Sequence, residues 1–297
     1  MADFSPQARN SAIWSGDARR IATGRSADVW LEKVGQKPID DLQGIEAVQW
    51  GLRLQAPIAN AVGDRLNVRL KELDTEGTHV QHQWMRSHFD YVSEDNKTLY
   101  EIKNYNAYKR DLYGDDGSQD IPDDDLAQCI HEAAVFGVDR VILCVLFGGN
   151  ELVTFPINVD NEAKEVLIQQ EAALWAAVQT GHPPEADYPD DLRRLYPRDT
   201  GKQVMASQEL AQYCDLLRQL KAQIKQQEEN EKRLSGMIQK AMLDASILLG
   251  TDGKPLATWK AAKDSQVFDK DRFKAEMPLV YEQYLKTVPG SRRFLVK

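Results

Sequence analysis

The sequence predicts an α/β fold, a mixed β-sheet with helices on its faces, joined to a helical and small α+β C-terminal extension. Three stretches carry that prediction. Glu94-Asp95-Asn96-Lys97 is polar turn material between two alternating runs, as in a β-hairpin. Arg140–Phe147 is a continuous apolar run of the kind found in a strand buried on both faces. One helical segment, 126–136, separates the two. A strand–helix–strand order then returns the second strand parallel to the first.

The elements follow in order. Residues 1–25 are polar with scattered aromatics and include Arg19 and Arg20. Thr23-Gly24-Arg25-Ser26 combines small residues with a guanidinium, which suits either a phosphate or a plain surface turn. Residues 27–33 read as a short helix. After Pro38-Ile39-Asp40-Asp41 a longer helix spans 44–62, with Ala47, Trp50, Leu54, Ile58 and Ala61 near one stripe and Gln55 beside it. Residues 65–73 and 80–92 alternate as strands around a Glu76-Gly77 turn, and 98–103 is the second strand of the hairpin. Residues 104–125 are long and polar, which suits either a functional loop or a solvated excursion. Pro122 and the acids behind it open the next helix, and Gly137 ends it. A strand at 151–157 and an amphipathic helix at 161–179 close the core.

The Pro-rich stretch 182–198 reads as a linker, dividing the chain into a domain of residues 1–197 and an extension of 198–297. From Ser207 onward, Leu210, Tyr213, Leu217, Leu220, Ile224 and later apolar residues up to Leu248 follow alternating spacings of three and four. Gln227 and Glu231 are the polar exceptions. This is a coiled-coil pattern, or a helical hairpin with its turn at 226–230. Asp252-Gly253 signals a hairpin turn. A helix at 271–286, a Pro289-Gly290 turn and an end strand at 293–296 complete the extension.

Composition narrows the function classes. No apolar run approaches the roughly 18–20 residues of a membrane span, and the N-terminus lacks a basic-then-apolar leader. Cys129, Cys144 and Cys214 are odd in number and far apart, which fits free thiols and a cytoplasmic location. The net charge of −9 argues against a nucleic-acid binder, but its distribution weakens the argument. Residues 201–297 hold 17 Lys and Arg against 12 Asp and Glu, so an anionic partner and a merely solvated surface both fit that part.

The hairpin holds the chemistry. If 94–97 form the loop, Ser93 pairs with Thr98, Asp90 faces Glu101, and His88 faces Lys103. All four then share one side of the strand pair, and Phe89, Tyr91, Tyr100 and Ile102 take the other. Like charges opposite each other repel, and a cross-strand pair is worth only roughly 0.2–1 kcal/mol. A divalent cation between Asp90 and Glu101 reverses the sign of that interaction, and oxygen donors suit Mg²⁺ or Mn²⁺. Lys103 can reach a substrate phosphate or an attacking water. A solvated hairpin face accounts for the same residue types.

Asp90 followed by Glu101-Ile102-Lys103 resembles the D…ExK signature of the PD-(D/E)xK nuclease superfamily. Ala47-Val48-Gln49-Trp50-Gly51-Leu52-Arg53-Leu54-Gln55 resembles the upstream helix of the bacteriophage lambda exonuclease and YqaJ-like viral recombinase family, and Ala127-Gln128 resembles its glutamine motif. The resemblance covers about residues 10–197. It implies a restriction-endonuclease-like sheet and a Mg²⁺-dependent exonuclease, with Mn²⁺ as a substitute ion. The activity implied is 5′→3′ digestion of duplex DNA ends, leaving single strands for an annealing protein, by a ring-shaped homotrimer. Asp90, Glu101 and the Ile102 carbonyl would hold the metal. Lys103 would orient or activate the attacking water and stabilise developing charge, and Gln128 would position substrate or Lys103. Arg19, Arg20 and Arg25 are candidates for a terminal phosphate. Where family members place a glutamate on the upstream helix, this chain has Gln55, which can bind an ion only through a neutral oxygen. A structure-specific or non-specific endonuclease of the same fold, and a non-catalytic DNA-binding or assembly protein, are the alternatives.

Overall fold

Five strands form the sheet around which the first part of the chain is built. The structure is a computed structural model that describes residues 6–39, 44–73, 75–185, 189–288 and 290–297. The chain divides into two units, Met1–Pro197 and Arg198–Lys297. The first begins with α1 (Pro6–Asn10), β1 (Ile13–Trp14), α2 (Ser15–Ala22) and α3 (Ser26–Lys33). The 21-residue helix α4 (Glu46–Leu66) follows, ended by Asn67 in the left-handed conformation that a polar C-cap tolerates. Then come β2 (Leu70–Glu72), β3 (Glu76–Thr78), β4 (Met85–His88), β5 (Tyr91–Ser93) and β6 (Leu99–Tyr105). A 3₁₀ turn at Ala107–Leu112 leads towards α5 (Asp123–Phe136), β7 (Arg140–Phe147), β8 (Glu151–Asn158), α6 (Asn161–Thr180) and α7 (Pro189–Leu195).

The main sheet has the order β2-β5-β6-β7-β8. β6 and β7 are parallel from Leu99↔Val141 to Tyr105↔Phe147, and the other pairs are antiparallel. This is the mixed sheet the sequence predicts, with α5 as the crossover. Three acids, Asp123, Asp124 and Asp125, occupy the first turn of α5, where the helix dipole favours them, and Gly137 closes it with φ +84°.

Alternate residues of β6 serve two different cores. Tyr100 and Ile102 join Tyr91, Ile142 and Cys144 against Ile58, Ala59 and Val62 of α4. Leu99 joins Val92, Val141, Leu143 and Val145 on the other side, against Cys129, Ala133 and Val135. The sheet is therefore sandwiched between α4 and α5, and odd-numbered residues of β6 look towards α5.

Several expectations need correction. The alternating run 80–92 is not one strand. β4 belongs to a separate three-stranded sheet, β1-β4-β3, and the chain changes sheets at Phe89-Asp90. His88 consequently pairs with Glu76 and stacks on Trp14 at 4.9 Å, instead of facing Lys103. Phe89 packs with the α5 core rather than with Tyr91 and Tyr100. The expected α4 stripe holds only in part: Leu54 and Ile58 pack on the sheet, whereas Trp50 is 46% exposed and Ala59 and Val62 complete the buried face in place of Ala61. Residues 65–66 are helical, which shortens the next strand to Leu70–Glu72. The 104–125 stretch is not a solvated excursion either, because Tyr113 packs edge-on against Phe147 at 5.0 Å and Ile121 is buried.

In the second unit, α8 (Gln208–Met242) is one uninterrupted helix, capped by the Ser207 hydroxyl accepting from the Leu210 N–H. No hairpin turn interrupts it at 226–230. The strands β9 (Ile247–Leu249) and β10 (Pro255–Thr258) form the expected hairpin, so the apolar pattern at Leu248 belongs to a strand. Two short helices, α9 (Lys270–Glu276) and α10 (Pro278–Gln283), replace the single helix expected at 271–286. Residues 293–296 form no strand. The expected turn at Pro289, the Asp40-Asp41 approach to α4 and residues 186–188 of the linker lie outside the described residues.

Candidate active site

The hairpin register sets the geometry. Tyr91 pairs with Tyr100 and Val92 with Leu99, and the Ser93 N–H donates to the Thr98 carbonyl at 2.9 Å. One step beyond the last pair, Asp90 stands across from Glu101. β5 ends there, so β6 has no strand neighbour on that side past Tyr100. The Asp90 carboxylate takes over: Oδ2 accepts the Ile102 N–H at 2.8 Å. The N–H and C=O of one strand residue point to the same edge, so the Ile102 carbonyl opens towards Asp90 as well. Gln55, on α4, donates its amide N–H to Asp90 Oδ1.

Glu101 projects to the α5 side and is 5% exposed. Its Oε1 accepts from Lys103 Nζ at 2.5 Å and from Gln128 Nε2 at 2.6 Å. Gln128 is the hub of this face. Its Nε2 also donates to Glu132 Oε1 at 2.8 Å, and its Oε1 accepts from Arg19 Nη1 at 3.0 Å. Arg19 further donates to the Tyr105 hydroxyl at 3.0 Å, to Asp124 at 2.5 Å and to Asp125. The Tyr105 and Tyr113 hydroxyls both donate to Asp125.

The electrostatics follow from burial and like charge. Burial, then the neighbouring charge of Glu101, pushes the Asp90 carboxyl well above its ordinary value. Burial and Glu101 push Glu132 up in the same way. Burial pulls Lys103 down, but Glu101 outweighs it and holds the ammonium protonated. Burial raises the Tyr105 phenol to about 12, so it remains a donor. The site is thus short of positive charge.

A divalent cation fits that deficit. Two carboxylates on adjacent strands and an open backbone carbonyl are hard oxygen donors of the kind Mg²⁺ takes, with water completing its shell. Among the described residues no three His, Cys, Asp or Glu side chains converge as a metal cage. Asp90, Glu101, the Ile102 carbonyl and water would hold such a cation. Gln55 lies within reach of the same acid, but its N–H faces Asp90.

The arginines divide. Arg19 joins the Gln128 network. Arg20 is instead held bidentately by Glu32 at 2.6 and 2.9 Å, and Arg25 pairs with Asp28 at 3.3 Å. Neither bonds to a member of the Glu101 network, because buried acids on α3 claim both guanidinium groups. Five participants were not singled out in the sequence: Glu132, Asp124, Asp125, Tyr105 and Tyr113. Glu132 was findable as the acid one turn beyond Gln128 on the same helix face. Nothing local marks Asp125 apart from its two neighbours.

An acid–acid–lysine centre at the end of a hairpin, in a sheet sandwiched by helices, defines the class of domain. Residues 7–139 match the family described as the YqaJ-like viral recombinase domain. A protein of Bacillus subtilis (strain 168), the uncharacterized protein YqaJ, is 26% identical over 281 residues, covering 91% of this chain and 85% of the relative. Among solved structures, the chain is similar to an alkaline exonuclease from Laribacter hongkongensis, with 13% identity and a TM-score of 0.47 over 59% of this chain and 91% of that one. It is also similar to a phage-related exonuclease from Haemophilus somnus 129PT, with 10% identity and a TM-score of 0.45 over 57% and 94%. No helix among the described residues is long and apolar enough to cross a membrane.

Proposed function

We propose that residues 1–197 are a Mg²⁺-dependent DNA exonuclease domain and residues 198–297 its extension. The observation that carries the reading is the register that sets Asp90 across from Glu101 while Asp90 also binds the Ile102 N–H. Asp90, Glu101 and the Ile102 carbonyl would hold the ion. When bound, the ion supplies an activated water and neutralises charge on the leaving oxygen. Lys103, kept protonated by Glu101, stabilises negative charge as it develops on the phosphoryl oxygens. Gln128 fixes the orientation of Glu101, and Arg19 fixes Gln128. Gln55 brings no charge to the site, which favours a single tightly held ion. The family resemblance supports 5′→3′ digestion, a homotrimer that encloses DNA, and an annealing protein as downstream partner.

The test is digestion of end-labelled linear duplex and of covalently closed circles, with Mg²⁺ and with EDTA. Linear DNA labelled at the 5′ end should lose label first in Mg²⁺, and closed circles should survive. Glu101→Gln should lower the rate on the order of 10³-fold, in keeping with lost charge stabilisation in the transition state. Cleavage of closed circles would make the enzyme an endonuclease. An unchanged rate in EDTA, or in the Glu101 variant, would remove the site from the chemistry.

A further inference from the structure

Helix α8 displays an apolar stripe to solvent in two stretches, either side of Gln227 and Glu231. Leu210, Leu220, Ile224, Leu234 and Ile238 are 43–56% exposed. At 35 residues the helix is about 52 Å long. Its seam follows a heptad, with Leu210, Leu217, Ile224, Glu231 and Ile238 at one core position. Tyr213, Leu220, Gln227, Leu234 and Ala241 occupy the other.

The order of residues along the seam selects the occupant. In a parallel pair of identical helices each core position meets itself, so Glu231 would face Glu231 within the seam and repel it. In an antiparallel pair the two core positions meet each other. With the twofold axis between Lys225 and Gln226, at the middle of the helix, Leu217 meets Leu234 of the second copy, Tyr213 meets Ile238 and Ile224 meets Gln227. Glu231 then meets Leu220 rather than another acid. The flanking positions agree: Lys221 faces Glu228 of the second copy, Leu216 faces Met237, and Gln223 faces Asn230. The twofold axis repeats each of these pairs. At these flanking positions charged meets charged, apolar meets apolar and amide meets amide, while the seam keeps two mixed layers, Ile224 with Gln227 and Leu220 with Glu231.

We propose that α8 pairs with α8 of a second copy, antiparallel and in full overlap, linking two chains through their C-terminal units. The inference does not depend on the nuclease reading. Sedimentation equilibrium of the full chain tests it. The double variant Leu217→Glu/Leu234→Glu should halve the particle mass. Because that variant also burdens the helix, charge reversal provides the second arm. Lys221→Glu should raise the dissociation constant about tenfold, through two repulsive pairs, and Lys221→Glu/Glu228→Lys should restore it. In a parallel pair Lys221 would face Leu216 and Glu228 would face Gln223, so no restoration would follow. Equal mass for wild type and the Leu217/Leu234 variant, or no rescue by the charge swap, overturns the proposal.

Discussion

Two buried acid clusters lie in the same unit, and they are balanced in opposite ways. Around α3, Asp17, Asp28 and Glu32 are met by Arg20, Arg25, Lys33, Lys37 and Arg194. Burial raises the carboxyls of Asp28 and Glu32, but their cationic partners outweigh it and hold both below the ordinary range. At the hairpin, Asp90, Glu101 and Glu132 have one lysine directly bonded among them, Lys103 on Glu101. There the carboxyls of Asp90 and Glu132 are driven up. The first cluster satisfies itself and ties the N-terminal helices together. The second carries an unmet demand for positive charge, and an unmet demand at a strand end marks a place for a ligand.

The comparison can be broken in several ways. If the hairpin cluster exists to handle phosphate charge, Lys103→Met should reduce kcat about 10²-fold with little change in KM, read from initial rates on linear duplex. A comparable loss from Lys37→Met, in the balanced cluster, would erase the distinction. If the deficit is met by an ion, Mg²⁺ at 100 times its dissociation constant should stabilise the folded chain by about 2.7 kcal/mol. Calorimetry should show that gain in wild type and not in Asp90→Asn, whereas Arg20→Ala should keep it. The balanced cluster should govern acid stability. Because the folded-state carboxyls of Asp28 and Glu32 titrate below their ordinary values, their contribution is present above roughly pH 4 and is lost as the pH falls through the folded values. Urea unfolding from pH 6 to pH 3 should show this loss, and Arg20→Ala should flatten it. The smallest effect belongs to Glu132→Gln, which keeps an acceptor for Gln128 while removing a buried charge. It should raise metal-free stability by about 1 kcal/mol, again by urea unfolding.

The sequence disclosed the parts of this architecture that depend on short-range chemistry. A four-residue polar turn dictates the pairing of Tyr91 with Tyr100, and the apolar run Val141–Phe147 dictates the doubly covered strand β7. The proximity of Asp90 to Glu101 follows from that pairing. The parting of the chain at Phe89-Asp90 into two sheets was not legible, because alternation continues straight through it and only the competition of β1 and β3 for β4 breaks it. The hydrogen-bonded chain from Arg19 through Gln128 to Glu101 spans 109 positions at its longest step. No local pattern encodes a contact of that separation. In the second unit, heptad spacing alone could not separate one helix from two, since 226–230 is polar in either case.

Asp90 does two jobs, and the second is architectural. With one oxygen it stands in for the missing neighbour of β6, finishing the ladder where β5 stops. A chain lacking this side chain therefore forfeits an edge as well as the proposed metal ligand, and its silence in an assay says little about chemistry. Asparagine is the informative exchange, because its carbonyl can still receive the amide proton while the charge is gone. The reactive end of the hairpin is thus anchored by the group that would be spent there.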